Sequence, residues 1–317
     1  MTSKQTDLAV STTATIAALS EEVQSLIETF ITSQDIKESS RSVYRRTLGL
    51  FFEWVALGDK PLSELTGADI LRYKEDCFKR GLTALTIASY LTSLRKFYQW
   101  AEAEKLYPNI TKAVKTPRRK QRFVKQHLTD EKSGELLTYF ECVSLRDFAI
   151  VNLILRTGLR TIEVVRADIG DITFKGDKRI LKVWGKGHDG KDDFVVLTDK
   201  AYLPIKYYLD TRKKAKSSEP LFVSDSHRNT GERLTARSIS RLCKEGLRAI
   251  GLDGKEFTAH SLRHTTAVSI LKQGGDIAAA QAVLRHTSPA TTQIYTESIK
   301  EELRLSNAPE TLIDKAF

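Results

Sequence analysis

From Val23 to Ala101 the apolar residues return every three or four positions, with no alternating run among them. Val23, Leu26, Ile27, Phe30 and Ile31 form one stripe, and Val43, Thr47, Leu48, Phe51, Phe52 and Val55 a second. Leu65, Ile70, Tyr73 and Phe78 make a third between Pro61 and Gly81, and Ile87, Tyr90, Leu91, Leu94, Phe97, Tyr98 and Ala101 a fourth. This spacing puts apolar side chains on one face of a helix. Such faces are buried most simply against each other, so 21–117 is predicted to be a small all-helical domain. Residues 1–20, rich in Thr, Ser and Ala without periodicity, are expected to be a flexible N-terminus.

Pro108 and Pro117 close this section, and 118–126 then reads Arg-Arg-Lys-Gln-Arg-Phe-Val-Lys-Gln. The formal net charge is +10, yet 1–117 holds 15 basic and 14 acidic residues and 127–317 holds 30 and 26. Half of the excess therefore lies in Arg118, Arg119, Lys120, Arg122 and Lys125. We read 118–127 as a basic interdomain linker. A solvated connection and a strap against phosphates both fit, although counterion release rewards clustered cations on a polyanion.

The second domain, 128–317, has a different pattern. Thr129 resembles a helix start, an apolar helix over 145–156 stops at Gly158, and a short helix is expected over 160–167. Ile169–Phe174, Arg179–Trp184 and Phe194–Leu197 read as strands, the last two flanking the turn-rich 185–190 as a hairpin. From Ala201 onward the pattern is helical again. The chain is thus predicted to be mostly α with a small β-sheet: a helical domain followed by a mixed α/β domain.

Composition excludes several classes. With 41% hydrophobic and 28% charged residues the chain is neither disordered nor fibrous. No apolar run approaches the ~18 residues of a membrane span, and the N-terminus lacks the order of a signal peptide. Cys77, Cys142 and Cys243 are far apart and in no metal-ligand spacing. A disulfide scaffold is not expected, and a reducing cytoplasm is.

Polar chemistry concentrates late in the chain. His260-Ser261-Leu262-Arg263-His264 places a neutral base and a fixed cation at i and i+3, where both reach one spot on a helix. His260 and His264 are also half of a zinc spacing, but Ser261 stands where a zinc protease carries Glu, so no metal is expected. Leu284-Arg285-His286 precedes Ser288-Pro289, a good helix start, and Tyr295 falls two turns into that helix. Earlier, Thr157-Gly158-Leu159-Arg160 leads to Glu163, and an Arg–Glu ion pair is one reading of that spacing. After Thr235, Arg237, Arg241, Lys244 and Arg248 share a helix face that is either simply solvated or lies along nucleic acid.

Arg160, Lys186 in Gly-Lys-Gly, His260-x-x-Arg263, His286 and, nine residues on, Tyr295 occur in the order and approximate spacing of the tyrosine site-specific recombinases. The chain resembles these phage-integrase, Cre and Xer relatives over nearly its whole length. The resemblance implies a helical core-binding domain and a catalytic domain that clamp double-stranded DNA. It implies Tyr295 as nucleophile, forming a 3′-phosphotyrosyl link. Arg160 and Arg263 would stabilise the transition state, His260 would accept or share a proton, His286 would bond the scissile phosphate and Lys186 would protonate the leaving oxygen. Glu163 and His264 would support the site.

No metal, ATP or other cofactor is implied. Partners would be DNA carrying an inverted-repeat core site and three further copies, in a homotetramer on two duplexes that exchanges C-terminal tails through a Holliday junction. Accessory proteins are left open, and a bacterial, nucleoid-associated location is expected. Arg41, Arg45, Arg46 and the 237–248 face are DNA-contact candidates. A type IB topoisomerase and a non-catalytic DNA-binding protein of the same fold are the alternatives.

Three features depart from the family pattern. Lys191, within an acidic stretch, is a second candidate for the general acid. Arg285 replaces a common glycine and would be strained by roughly 1 kcal/mol or more if its φ is positive. The 20 residues before Glu21 are also short for an arm-binding domain, so a simple recombinase without one is expected.

Overall fold

The computed structural model describes residues 20–58, 60–118, 126–184 and 190–286, together with Glu310 and Asp314. The chain divides into two units, Met1–Gln121 and Arg122–Phe317.

In the first unit the helix starts are written in short polar residues. Ser20 accepts the Val23 N–H to begin α1 (Glu21–Ser33), and Thr83 accepts the Thr86 N–H to begin α4 (Ala84–Ala103). Thr66 and Asp69 form a capping box at α3 (Gly67–Lys79). Lys60 and Thr66 hold the Asp69 carboxyl down to about 2 against the effect of burial. Between them lies α2 (Glu38–Ala56). Phe30, Phe51 and Phe97 are buried to 0–1% exposure, and Phe30 meets Phe97 edge-on at 5.5 Å. Each such ring contributes about 1.5–3 kcal/mol through burial alone. Val43 and Phe78, expected in the apolar stripes, are instead exposed on the outer edges of their helices.

The second unit opens with α5 (Asp130–Val143) and α6 (Leu145–Thr157). Ser144 ends one and caps the other, accepting the Asp147 N–H. Gly158, at φ 62°, terminates α6 in the left-handed region. After α7 (Thr161–Arg166), strands β1 (Ile172–Lys175), β2 (Lys178–Val183) and β3 (Asp193–Val196) form an antiparallel sheet in that order. Ile172 pairs with Leu181 and Leu181 with Val195. The first strand is shorter than expected, because Ile169–Asp171 is a 3-10 turn closed by Asp171 on the Asp168 N–H.

Four helices follow among the described residues: α8 (Asp199–Asp210), α9 (Ala236–Ala249), α10 (Ala259–Lys272) and α11 (Ile277–Leu284). The helical expectation from Ala201 onward fails over 211–235. That stretch is turns with two isolated bridges, Asp168–Pro220 and Val223–Arg233. Pro220 has no N–H to give a helix, and Gly231 sits at φ 83°. No helix among the described residues is long and apolar enough to cross a membrane.

Candidate active site

Every described catalytic candidate belongs to the second unit, and the ends of three helices position them. The first is the break between α6 and α7. The left-handed Gly158 turns the chain so that Arg160 stands immediately before α7, with Glu163 in its first turn. Glu163 accepts the Arg160 backbone N–H through Oε2 and its guanidinium through Oε1, both at 2.8 Å. Glu163 is 1% exposed, whereas the Arg160 side chain is 29% exposed and keeps an open face. Burial pushes the Glu163 carboxyl up, but Arg285 and then Arg160 outweigh it and hold the group below its ordinary value.

The second is the start of α10, where Thr258 and Ser261 form a capping box. His260 lies exposed in this first turn, where the helix terminus favours an anion. Arg263 is turned inward and is 1% exposed. Its Nη1 donates to the Gly158 carbonyl and its Nη2 to the Leu284 carbonyl at 2.5 Å. One guanidinium thus fastens the ends of α6 and α11 together, which a point-like ammonium could not do. His264 is fully buried, with its ring 5.6 Å from His127 and edge-on to it. Burial, with His127 and His260 nearby, pushes it down to about 3.

The third is the end of α11. Arg285 adopts φ 54°, ψ 50°, so the strain anticipated for a side chain there, about 1 kcal/mol, is present. His286 follows at once, largely buried, and the Gln281 side chain donates to its carbonyl at 3.0 Å. Burial lowers the imidazole to about 4, helped by the charges of Arg263, Arg160, His260 and Arg285. His286 is therefore neutral at pH 7 and offers an N–H donor. Arg160, His260 and Arg263, distant from His286 by up to 126 positions of sequence, thus lie near enough for their charges to act on its ring.

Lys186 and Tyr295 lie outside the described residues, as do Arg119, Lys120, Arg122, Lys125 and nearly all of the C-terminal tail. Lys191 is described, and its ammonium is held between Asp168 at 2.6 Å and Asp171 at 2.5 Å. Burial would lower it, but the two carboxylates raise it, so it is poorly suited to giving up a proton.

The DNA-contact candidates divide. Arg46, Arg118, Arg237 and Arg241 are exposed. Arg45 is engaged by both oxygens of Glu28, and Arg41 donates to the Ile36 carbonyl. Lys244 donates to the carbonyls of Asp253, Gly254 and Phe257, and Arg248 pairs with Asp253 at 2.6 Å. Half of the basic face of α9 thus organises the loop that leads to α10.

Arg285 stands out in the sequence only as an unusual neighbour of His286. Its guanidinium lies 2.6 Å from Glu163, a contact across 122 positions that no spacing rule reveals. Arg233 is a similar case: it joins Asp168 at 2.5 Å and the carbonyls of Val165 and Ala167, steadying the segment after α7.

Comparison with known proteins gives a consistent picture. The family profile described as "Phage integrase family" matches residues 126–302, and "Phage integrase, N-terminal SAM-like domain" matches 23–105. Tyrosine recombinase XerA of Pyrococcus furiosus is 31% identical over 297 residues, covering 91% of this chain and 96% of the relative. A solved XerH site-specific recombinase, bound to palindromic difH substrate in a post-cleavage complex, superposes with TM-score 0.72 at 20% identity, covering 96% of this chain and 88% of that one. A lambda integrase tetramer bound to a Holliday junction gives TM-score 0.63 at 21% identity, covering 86% and 76%. At these identities the two structures speak to the fold.

Proposed function

Because the chain belongs to the phage integrase family and is a tyrosine recombinase, we propose the following division of labour among its residues in site-specific DNA recombination. The Tyr295 hydroxyl oxygen attacks a phosphodiester, forming the bond to phosphorus as the bond to the 5′-oxygen breaks. The result is a 3′-phosphotyrosyl link and a free 5′-hydroxyl. Reversal with a 5′-hydroxyl from a partner strand rejoins the DNA, so the phosphodiester energy is conserved.

A tyrosine hydroxyl with its pKa near 10 is a weak nucleophile at neutral pH. His260, exposed at the start of α10, takes or shares its proton. Arg160 presents its open face to the non-bridging oxygens, and Arg263 adds its charge from below while locking the surrounding backbone. Neutral His286 donates its N–H to the same phosphate, and Lys186 delivers a proton to the leaving 5′-oxygen.

The observation that carries this reading is that Arg263 donates to the Gly158 and Leu284 carbonyls and so sets the Arg160 turn beside the His286 turn, with His260 one turn before Arg263 on the same helix. The substrate is double-stranded DNA with an inverted-repeat core site, engaged by four copies that pass C-terminal tails to one another. The lambda integrase tetramer on a Holliday junction supports the number of copies. The exposed cations Arg46, Arg118, Arg237 and Arg241 contact phosphate. The test is to map genomic DNA trapped covalently on the protein. Tyr295→Phe should bind the mapped site with unchanged affinity and form no covalent complex; a mutant still trapped on a nicked substrate would remove Tyr295 from the role.

A further inference from the structure

The end of α11 is closed by two backbone bonds: Arg285 N–H to Ala282 O at 3.1 Å and His286 N–H to Gln281 O at 3.2 Å. This Schellman arrangement requires a left-handed residue at 285 and ordinarily takes glycine. Here an arginine occupies the strained position, so the side chain must return something that glycine does not. Its side chain is 7% exposed and therefore turned into the protein. Nη2 lies 2.6 Å from Glu163 Oε2, Nη1 donates to the Val283 carbonyl at 2.9 Å, and Nε is 3.4 Å from Asp193 Oδ2.

These partners come from separate segments. Glu163 is the buried carboxylate that holds both the backbone and the guanidinium of Arg160. Asp193 opens β3, on the return side of the hairpin whose loop carries Lys186. His286 is the next residue along the chain. The guanidinium thus ties together the Arg160 turn, the foot of the β2–β3 hairpin and the His286 turn.

Charge adds a second consequence. Glu163 faces two guanidiniums with one negative charge. With Arg285 balancing Glu163, the positive charge of Arg160 is left for an incoming phosphate. Without Arg285, Glu163 would draw on Arg160 alone.

We propose that Arg285 is a positioning residue of the recombination site, which neutralises Glu163 and fixes Arg160, His286 and the foot of the hairpin relative to one another. This rests on the reading of Arg160 and His286 given above. An arginine is specifically needed, because a lysine cannot span Glu163, Asp193 and a carbonyl at once.

The test compares wild type with R285G, R285K and R285G/E163Q. Glycine is at ease at positive φ, so R285G should still fold and bind. On the genomic fragment that wild type traps covalently, R285G should keep its affinity while single-turnover cleavage slows by about 10–100-fold. R285K should not recover the rate. Neutralising the carboxylate that now draws on Arg160 alone, in R285G/E163Q, should restore it by roughly 3–10-fold, a coupling that a simple packing defect would not produce.

Cleavage by R285G at the wild-type rate, or no gain from E163Q in that background, would overturn the proposal. A protein-only readout separates this from failure of the functional reading. Amide exchange at Arg160, whose N–H Glu163 holds, should accelerate in R285G, and unchanged exchange would also overturn the proposal. A wild type that forms no phosphotyrosyl link, with Arg160 exchange accelerated in R285G, would count against the catalytic roles alone and leave the positioning contact standing.

Discussion

A Cβ on Gly158 would stand 2.6 Å from Cδ2 of Leu284, so the end of α6 and the end of α11 touch with no room for a single methyl group. The same two ends are joined by Arg263, which donates to the carbonyls of both residues. The approach of these two helix ends brings the Arg160 turn beside the His286 turn.

Gly158→Ala should therefore destabilise the second unit by about 2–4 kcal/mol, combining left-handed strain with overpacking. Leu284→Ala, at a fully buried position, should cost about 2–5 kcal/mol by itself. The double variant should cost less than the sum by about 1 kcal/mol, because the smaller side chain makes room for the new methyl. Urea denaturation of the four proteins measures this, and strict additivity would show that the close approach is not limiting.

The two lysines of the hairpin should separate by chemistry. Lys186→Ala should lower strand cleavage by about 10²–10⁴-fold, as expected on losing a general acid. A substrate with sulfur in place of the leaving 5′-oxygen should restore it, since a thiolate departs without a proton. Lys191→Ala should instead lower the melting temperature, because Asp168 and Asp171 lose their shared ammonium, and sulfur should give no rescue. The opposite pattern would exchange the two assignments.

Acid should weaken the fold in a defined window. His264 titrates at about 3 in the folded protein and near 6.5 when exposed. Between those values the unfolded chain binds one more proton, so stability falls as pH falls, by up to about 1.4 kcal/mol per unit. Above about pH 6.5 the imidazole is neutral in both states and the effect vanishes. His286, lowered to about 4, acts in the same direction. His264→Gln should remove close to one proton from the slope of unfolding free energy between about pH 6 and about pH 4.5. An unchanged slope would count against a buried neutral His264.

Neutralising Arg118, Arg119, Lys120 and Arg122 together should weaken binding to all DNA sequences alike. The dependence of log K on log salt should flatten by roughly 0.9 for each phosphate that the variant no longer neutralises. Titrations with specific and random duplexes at several salt concentrations would measure both. Weakening confined to the specific duplex would mean that these side chains read bases rather than phosphates.

Much of the architecture is legible in the sequence itself. Helix periodicity, the polar cap at Thr129 and the stop at Gly158 are local properties, written within a few residues of where they act. Residues 211–235 defeat a local reading because the stretch lies between two helices and is held by partners far along the chain: Leu221 N–H reaches Ala167 O, and Arg233 reaches the carbonyls of Val165 and Ala167. The α9 stripe shows the same limit. Its basic spacing is plain, but which cations are committed to a neighbouring loop depends on where that loop returns.

The sequence alone determined the helix and strand periods, the charged run at 118–126, and the set and order of residues that resemble a recombinase site. Those depend on side-chain type and short spacing. Only the tertiary structure decided that Arg263 bridges two helix ends, that Lys191 is held by two acids, and that Arg285 balances Glu163. Such contacts form between residues tens to more than a hundred positions apart, and no local pattern encodes them. They exist because burial brings distant helix ends together, and a buried charge must then find an opposite charge or a carbonyl.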